Sequence, residues 1–249
     1  MTPFQSSETT GVRARLPDLV TARVLELIMA GELNPCDPIP SESDLARLFD
    51  VSKPVVREAL GQLSGLGLVQ VHQGRATTIR APSAEPIANV TRVATALAPN
   101  GQRDLVDMFA LLAAESLRAA ARCEDDDKRR ALLARVGDAD DLAMDPAAEV
   151  DFWHAVVGLG GASLISLFLN GCVAALRQAL DRARAQSTSE ADHIDGPLAR
   201  NRWQIATAIM AGSAAEAQAG AARHAMIMQP VLAAVARNGT ESNEREQGA

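Results

Sequence analysis

The stretch IPSESDLARLFDVSKPVVREAL, residues 39–60, decides the fold of this 249-residue chain. The first two residues of this stretch end NPCDPIP (34–40), whose three prolines demand a turn. Ser41 then precedes Glu42, Ser43 and Asp44, and a Ser-x-x-Asp pattern before an apolar run caps a helix start. That helix is short, with Leu45, Ala46 and Leu48 on its inner side. Asp50-Val51 breaks it tightly, and Ser52 is placed to cap the next helix. There Val55, Val56, Ala59, Leu60, Leu63 and Leu66 recur at helical spacing, while Lys53 and Arg57 lie on the other side. Two helices joined by so short a turn form a helix-turn-helix.

Working outward, Leu16, Leu19, Val20, Val24, Leu27 and Ile28 define an earlier helix, with Pro17 in its first turn and Gly31 at its stop. Downstream the period changes. Leu68–Val71 reads as a strand, His72-Gln73-Gly74-Arg75 as a tight turn, and Ala76–Ile79 as the returning strand. Helix, helix, turn, helix and hairpin is the order of a winged helix-turn-helix. A second helix opening with Ser52, Lys53, Pro54 and Val55, with Arg57 closing its first turn, has the chemistry to meet a major groove. Its N–H groups and basic side chains face phosphates, and first-turn side chains reach base edges. A protruding wing, Gln73-Gly74-Arg75, can send an arginine into a minor groove.

Composition separates this front third from the rest. Hydrophobic residues make up 47% and aromatics 3%, with no tyrosine, and 39 of the 47 alanines follow position 85. Such a sequence is too apolar for a disordered chain and favours helix over strand. APSAEPIA (81–88) reads as a linker region, and helices are expected near 87–98, 102–122, 126–142, 146–158, 162–185, 195–211 and 213–237. The expected fold is mainly α. A winged helix-turn-helix with a small β-hairpin wing spans 13–80, and a linker spans 81–86. A bundle of about seven helices spans 87–237, and a disordered tail spans 238–249.

The net charge of −7 argues against coating nucleic acid or anionic membrane by charge alone. Yet residues 47–80 hold five basic and two acidic residues, whereas 82–249 hold 16 basic and 22 acidic, so contact charge is local to the front. Cys36, Cys123 and Cys172 are widely spaced, which suggests buried reduced thiols rather than a disulfide framework. No apolar run approaches the ~18 residues of a membrane span, and a cytoplasmic protein is expected. Phosphate-loop, nucleophile-elbow and His-Glu-x-x-His motifs are absent, so no enzyme and no cofactor is expected. Gly158-Leu-Gly-Gly161 reads as a helix break, and Trp153 and Phe168 as core.

Pro40-Ser41-Glu42, Leu45-Ala46, Val51-Ser52-Lys53, Val56-Arg57-Glu58-Ala59-Leu60 and Gly67-Leu68-Val69 resemble, in order and spacing, the DNA-binding signature of the GntR family of bacterial transcription regulators. The resemblance covers about a quarter of the chain. It implies DNA contacts from Ser41, Glu42, Ser43, Ser52, Lys53, Pro54, Val55, Arg57, Gln73, Gly74 and Arg75. Lys53 replaces a usual arginine, exchanging a bidentate guanine contact for a point charge. Ser43 stands where a longer polar residue is common.

The helical remainder resembles the FadR subfamily. Residues 149–157 are similar to its Asp-x-x-Phe-His helix, 163–171 to the helix that follows, and 202–212 with 221–224 to its last two helices. Many such domains hold a metal through one aspartate and three histidines. Here Val150 stands four residues before His154, and Arg202 stands 22 before His224, at a histidine's place. Leu111, four before Glu115, replaces an arginine of carboxylate-binding members. The expectation is no metal, with Asp151, His154 and His224 as a weaker alternative set. The fatty-acid-responsive members lack the metal and bind long-chain acyl-CoA. Their wing is similar to residues 72–77 here, and their Leu-Asn-Gly to Leu169-Asn170-Gly171. The resemblance implies effector contacts from His154, Asn170, Arg177, Arg202 and His224, with Arg182 and Arg184 as further candidates for CoA phosphates. Alanine-rich helices leave room for an acyl chain. The implied protein is a homodimeric repressor of fatty-acid or related carbon metabolism, bound to a palindromic operator and released by an acyl-CoA-like effector; the alternative senses a small organic acid, with or without a bound metal.

Overall fold

The computed structural model describes residues 15–72, 76–136, 146–161, 163–185 and 194–247. The chain divides into two compact units, Met1–Pro86 and Ile87–Ala249.

The first unit contains α1 (Leu16–Met29), α2 (Glu42–Leu48), α3 (Lys53–Gly65), β1 (Val69–Gln70) and β2 (Thr78–Ile79). Its core joins Val24, Leu27, Ile39, Leu45, Val56, Leu60, Leu63, Val69 and Ile79. Burying an aliphatic side chain of this kind contributes ~1.5–3 kcal/mol. The buried stripe of α1 is Pro17, Val20, Thr21, Val24 and Leu27. Leu16, Leu19, Leu48 and Leu66, expected inside, are exposed at helix ends where the apolar stripe outruns the core. β1 and β2 pair antiparallel, Val69 with Ile79 and Gln70 with Thr78. The proline segment is more than a turn. Cys36 N–H donates to Ile79 O, Ile79 N–H to Asp37 O, and Ile39 N–H to Thr77 O, so it flanks β2 as an edge strand. Its prolines are tolerated because Cys36 and Ile39 carry the donors the edge uses.

The second unit is helical among its described residues: α4 (Ala84–Leu97), whose first three residues precede the division, α5 (Gly101–Ala120), α6 (Asp126–Val136), α7 (Pro146–Gly160), α8 (Leu164–Ala185), α9 (Asp195–Met210) and α10 (Ala214–Gln247). α4 starts inside the expected linker, because a proline in the first turn forfeits no intrahelical hydrogen bond. α10 runs to Gln247, past the expected end near 237. Gly161, at φ +82°, breaks the chain between α7 and α8, a conformation glycine adopts at little cost. α5 packs along α10 and against α7 and α8. The core contains Phe109, Leu117, Leu132, Trp153, Leu169, Ile205, Ile209, Met228 and Leu232.

The alanines do something other than leave room. Ala113, Ala120, Ala183, Ala206 and Ala217 are fully enclosed, and the helices close onto them. At Gly220 even a Cβ would run into Ile205 of α9. α8 is long and apolar enough to cross a membrane by length and composition, but Leu169, Cys172, Val173, Leu176 and Leu180 are buried in this unit. Of the cysteines, only Cys172 is buried as expected; Cys123 is partly so and Cys36 is exposed. Burial pushes the Cys172 thiol up to about 11, so it stays protonated.

Candidate DNA-recognition face and effector-unit site

α2 and α3 meet through Leu45, which has no exposed surface, against the Val56–Leu60–Leu63 face of α3. Ser41 caps α2, accepting from Asp44 N–H at 3.2 Å while its hydroxyl donates to Asp44 Oδ2 at 2.6 Å. Ser41 is therefore committed to the cap. Asp50 closes the turn at φ +51°, and Val51 N–H donates to Ala46 O. α3 then opens on Ser52, whose side chain makes no capping bond, followed by Lys53 and Pro54, all exposed.

Lys53 and Arg57, four apart on α3, share one exposed side. Arg57 Nε donates to Glu42 Oε2 of α2 at 2.8 Å. Two thirds of the Arg57 side chain is exposed, so its terminal nitrogens remain available while Glu42 fixes the stem. Ser43 is exposed and Val55 half-buried. Behind this face, Thr21 donates to Gln62 Oε1 and Gln62 Nε2 donates to Asp18, tying α3 to α1. Arg15 pairs with Glu58 at 2.8 Å. Gln73, Gly74 and Arg75 lie outside the described residues. The exposed side of α3 thus carries hydroxyl, ammonium and guanidinium groups on a rigid frame, the set that contacts phosphates and base edges.

In the second unit the expected effector residues separate. His154 and Asp151 are exposed on α7, away from the core. Arg177 pairs with Asp181 at 3.1 Å, Arg184 with Asp195 at 2.6 Å, and Arg182 is exposed. Leu111 is exposed, on the outside of α5. Asn170 is half-buried, with an Oδ1 that meets no donor among the described residues. Only Arg202 and His224 come together, and they do so on a residue not singled out from the sequence, Glu149.

Glu149 Oε2 accepts from Arg202 Nη1 at 2.5 Å, and Oε1 accepts from the Trp153 indole N–H at 2.5 Å. His224 Nε2 lies 2.7 Å from the same Oε1, as an ion-pair contact without the alignment of a good hydrogen bond. Asn201 orders the ring from behind. Its Oδ1 accepts from Arg223 Nε, and its Nδ2 donates to Gly220 O and approaches His224 Nδ1 at 3.2 Å. Aromatic rings enclose the group. Trp153 stands edge-on to Phe109, Phe152 and His224, with centroids 5.0–5.2 Å apart. Burial alone would raise the Glu149 carboxyl. The His224 ring, the Arg202 guanidinium and the Trp153 N–H outweigh it and hold the carboxyl at about 2.

The inward face of α7 is therefore Glu149, Phe152, Trp153 and Val156, one residue out of the register that paired Val150 with His154. A separate groove of about 490 Å3 opens between α9 and α10, lined by Trp203, Thr207, Ala208, Glu216, Ala219 and Arg223 among others. Arg223 also belongs to the chain of bonds that runs through Asn201 to His224.

The model of the family described as bacterial regulatory proteins, gntR family, matches residues 17–79. The HTH-type transcriptional regulator Mce2R of Mycobacterium tuberculosis is 31% identical over 188 residues, 72% of this chain and 78% of that protein. The HTH-type transcriptional repressor NanR of Klebsiella aerogenes is 29% identical over 156 residues, 60% of each. A solved structure described as Streptococcus agalactiae GntR shares the fold with TM-score 0.54 at 20% identity, over 88% of this chain and 98% of that one.

Proposed function

This chain belongs to the GntR family of bacterial regulatory proteins, and from that premise we propose that it is a homodimeric, effector-responsive repressor whose two α3 helices read a palindromic operator. GntR regulators bind DNA operators and typically act as dimers with small-molecule effectors. The relatives named above are transcriptional regulators, not enzymes. A regulator of the bacterial chromosome works in the cytoplasm.

One observation carries the DNA reading: Lys53 and Arg57 are exposed on a helix whose buried residues Val56, Ala59, Leu60 and Leu63 and whose Gln62 bonds to α1 hold it in place. Pre-organised basic groups on one face are what operator recognition needs, and a two-fold dimer presents that face twice to a two-fold site. Repression is supported by the similarity to NanR, a transcriptional repressor. Dimerisation is supported by α4, where Val90, Val93 and Leu97 form an apolar stripe at helical spacing and all three are more than half exposed.

For the effector we propose a long-chain acyl-CoA-like thioester, in keeping with the FadR-subfamily resemblance and with the α9–α10 groove, where Trp203 and Ala219 offer apolar surface and Arg223 a cation for phosphate. A small organic acid is the second reading, in keeping with the small-molecule effectors of the family. Thermal melts with palmitoyl-CoA and with a panel of short hydroxy- and keto-acids separate the two. The ligand that raises the melting temperature and also releases operator DNA is the effector. The DNA reading itself fails if an operator fragment from the chain's own promoter is bound equally well by Arg57→Ala.

A further inference from the structure

The Glu149 cluster lies one residue out of the register in which the resemblance put the aspartate (Val150) and first histidine (His154) of a metal set, and it includes the other two places, Arg202 and His224. Glu149 and Trp153 keep the four-residue Asp-to-His spacing on α7. Arg202 and His224 supply the other two positions from α9 and α10. This donor set does not suit a metal. An indole N–H is a donor without a lone pair to give, and a guanidinium repels a cation. Of the two groups that can ligate, Glu149 already accepts hydrogen bonds from Arg202 and Trp153, and the His224 ring lies between Asn201 at Nδ1 and Glu149 at Nε2.

We propose that Arg202 is a tethered replacement for the metal ion. Its guanidinium supplies the positive charge that the buried carboxylate requires, and it does so covalently attached to α9. Glu149 then gathers α7, α9 and α10 around one point, with Arg202 on Oε2 and Trp153 and His224 on Oε1. Charge bookkeeping distinguishes this centre from a metal one. A divalent ion on one carboxylate leaves a net charge of plus one, whereas Arg202 on Glu149 leaves none from that pair. The bundle is thus ordered without a divalent cation, and its effector is not a metal chelate. This inference is independent of whether the effector is a thioester or a metal-free organic acid, and of whether the protein represses.

Metal analysis of tag-free protein dialysed against micromolar zinc, nickel and manganese tests it. Expected are far less than one metal per chain, and melting temperatures unmoved by either the metals or EDTA. The paired test is the double variant Trp153→His, Arg202→His, which restores a one-carboxylate, three-imidazole set. It is expected to bind about one zinc per chain and to melt higher with zinc than without. Arg202→His alone, which adds a third ligand to Glu149 and His224, is expected to show weaker zinc binding and covers the case in which the double variant does not fold. The proposal is overturned if the wild-type chain carries about one metal that His224→Ala removes. It is equally overturned if a variant with native helicity binds no zinc.

Discussion

Replacing Glu149 by glutamine tests the buried centre most directly. The substitution keeps the shape and an acceptor oxygen but removes the charge, leaving Arg202 in a site where its side chain is 9% exposed. Breaking a buried ion pair from one side costs ~3–5 kcal/mol, because the surviving charge stays buried and uncompensated. The proton affinity of the carboxyl gives a second figure. Held at about 2 instead of its ordinary 4.5, it contributes about 3 kcal/mol. At ~2–4 °C per kcal/mol for a unit of this size, Glu149→Gln lowers the melting temperature by roughly 6–20 °C at pH 7. The sign with pH follows from the lowered carboxyl. Its stabilisation is complete above the ordinary carboxylate range and is lost as pH falls towards 2, so the gap between wild type and variant closes on acidification. Both tryptophans, Trp153 and Trp203, lie in the second unit, so their fluorescence reports its melting. The double variant Glu149→Gln, Arg202→Met should recover part of the loss, since it removes the stranded charge. A drop below about 2 °C, or a gap that stays constant from pH 7 to pH 3, would refute a buried ion pair of this strength.

Arg57→Ala should weaken operator binding by tenfold or more and flatten the dependence of affinity on salt, both readable by fluorescence anisotropy across a potassium chloride series. Two glycine-to-alanine changes should differ in sign. Gly61 on α3 faces open space and should gain about 0.5–1 kcal/mol, whereas Gly220 faces Ile205 and should lose ~1–3 kcal/mol, as denaturant midpoints followed by circular dichroism would show. Palmitoyl-CoA at about 100 times its dissociation constant should stabilise the second unit by ~2.7 kcal/mol and release operator DNA; short organic acids doing so instead would reassign the effector.

Most of the fold was legible because its signals are local. The Ser41 cap, the Asp50 break and the Leu45/Leu60/Leu63 pattern each act within one helical turn, and together they place α2 and α3. Helix starts in the second unit were similarly announced, for instance by Asp125, whose carboxylate accepts from Lys128 N–H. What stayed hidden depends on non-local partners. Nothing within NPCDPIP says that Cys36 and Ile39 will donate across to β2, since that pairing involves residues some forty positions away. The alanines misled for the same reason. A small side chain marks either space or close approach, and only the position of the facing helix decides between them.

The misplaced register on α7 has a definite cause. In EVDFWHAVV both Glu149/Trp153 and Val150/His154 are four apart, so either pair can share a helical face. Looking for a histidine selected the second pair. The apolar residues select the first: Phe152, Trp153 and Val156 define the buried arc, Glu149 extends it by one turn, and His154 falls outside. A carboxylate on a buried arc requires a partner, and Arg202, which seemed only to have lost a histidine, is that partner. Glu149 and Arg202 therefore need one another. An arginine without a carboxylate within reach would strand a charge in the core, and a glutamate beside an indole would lack a cation. The stability of this part of the bundle rests on the pair, which is why removing either member alone should cost more than removing both.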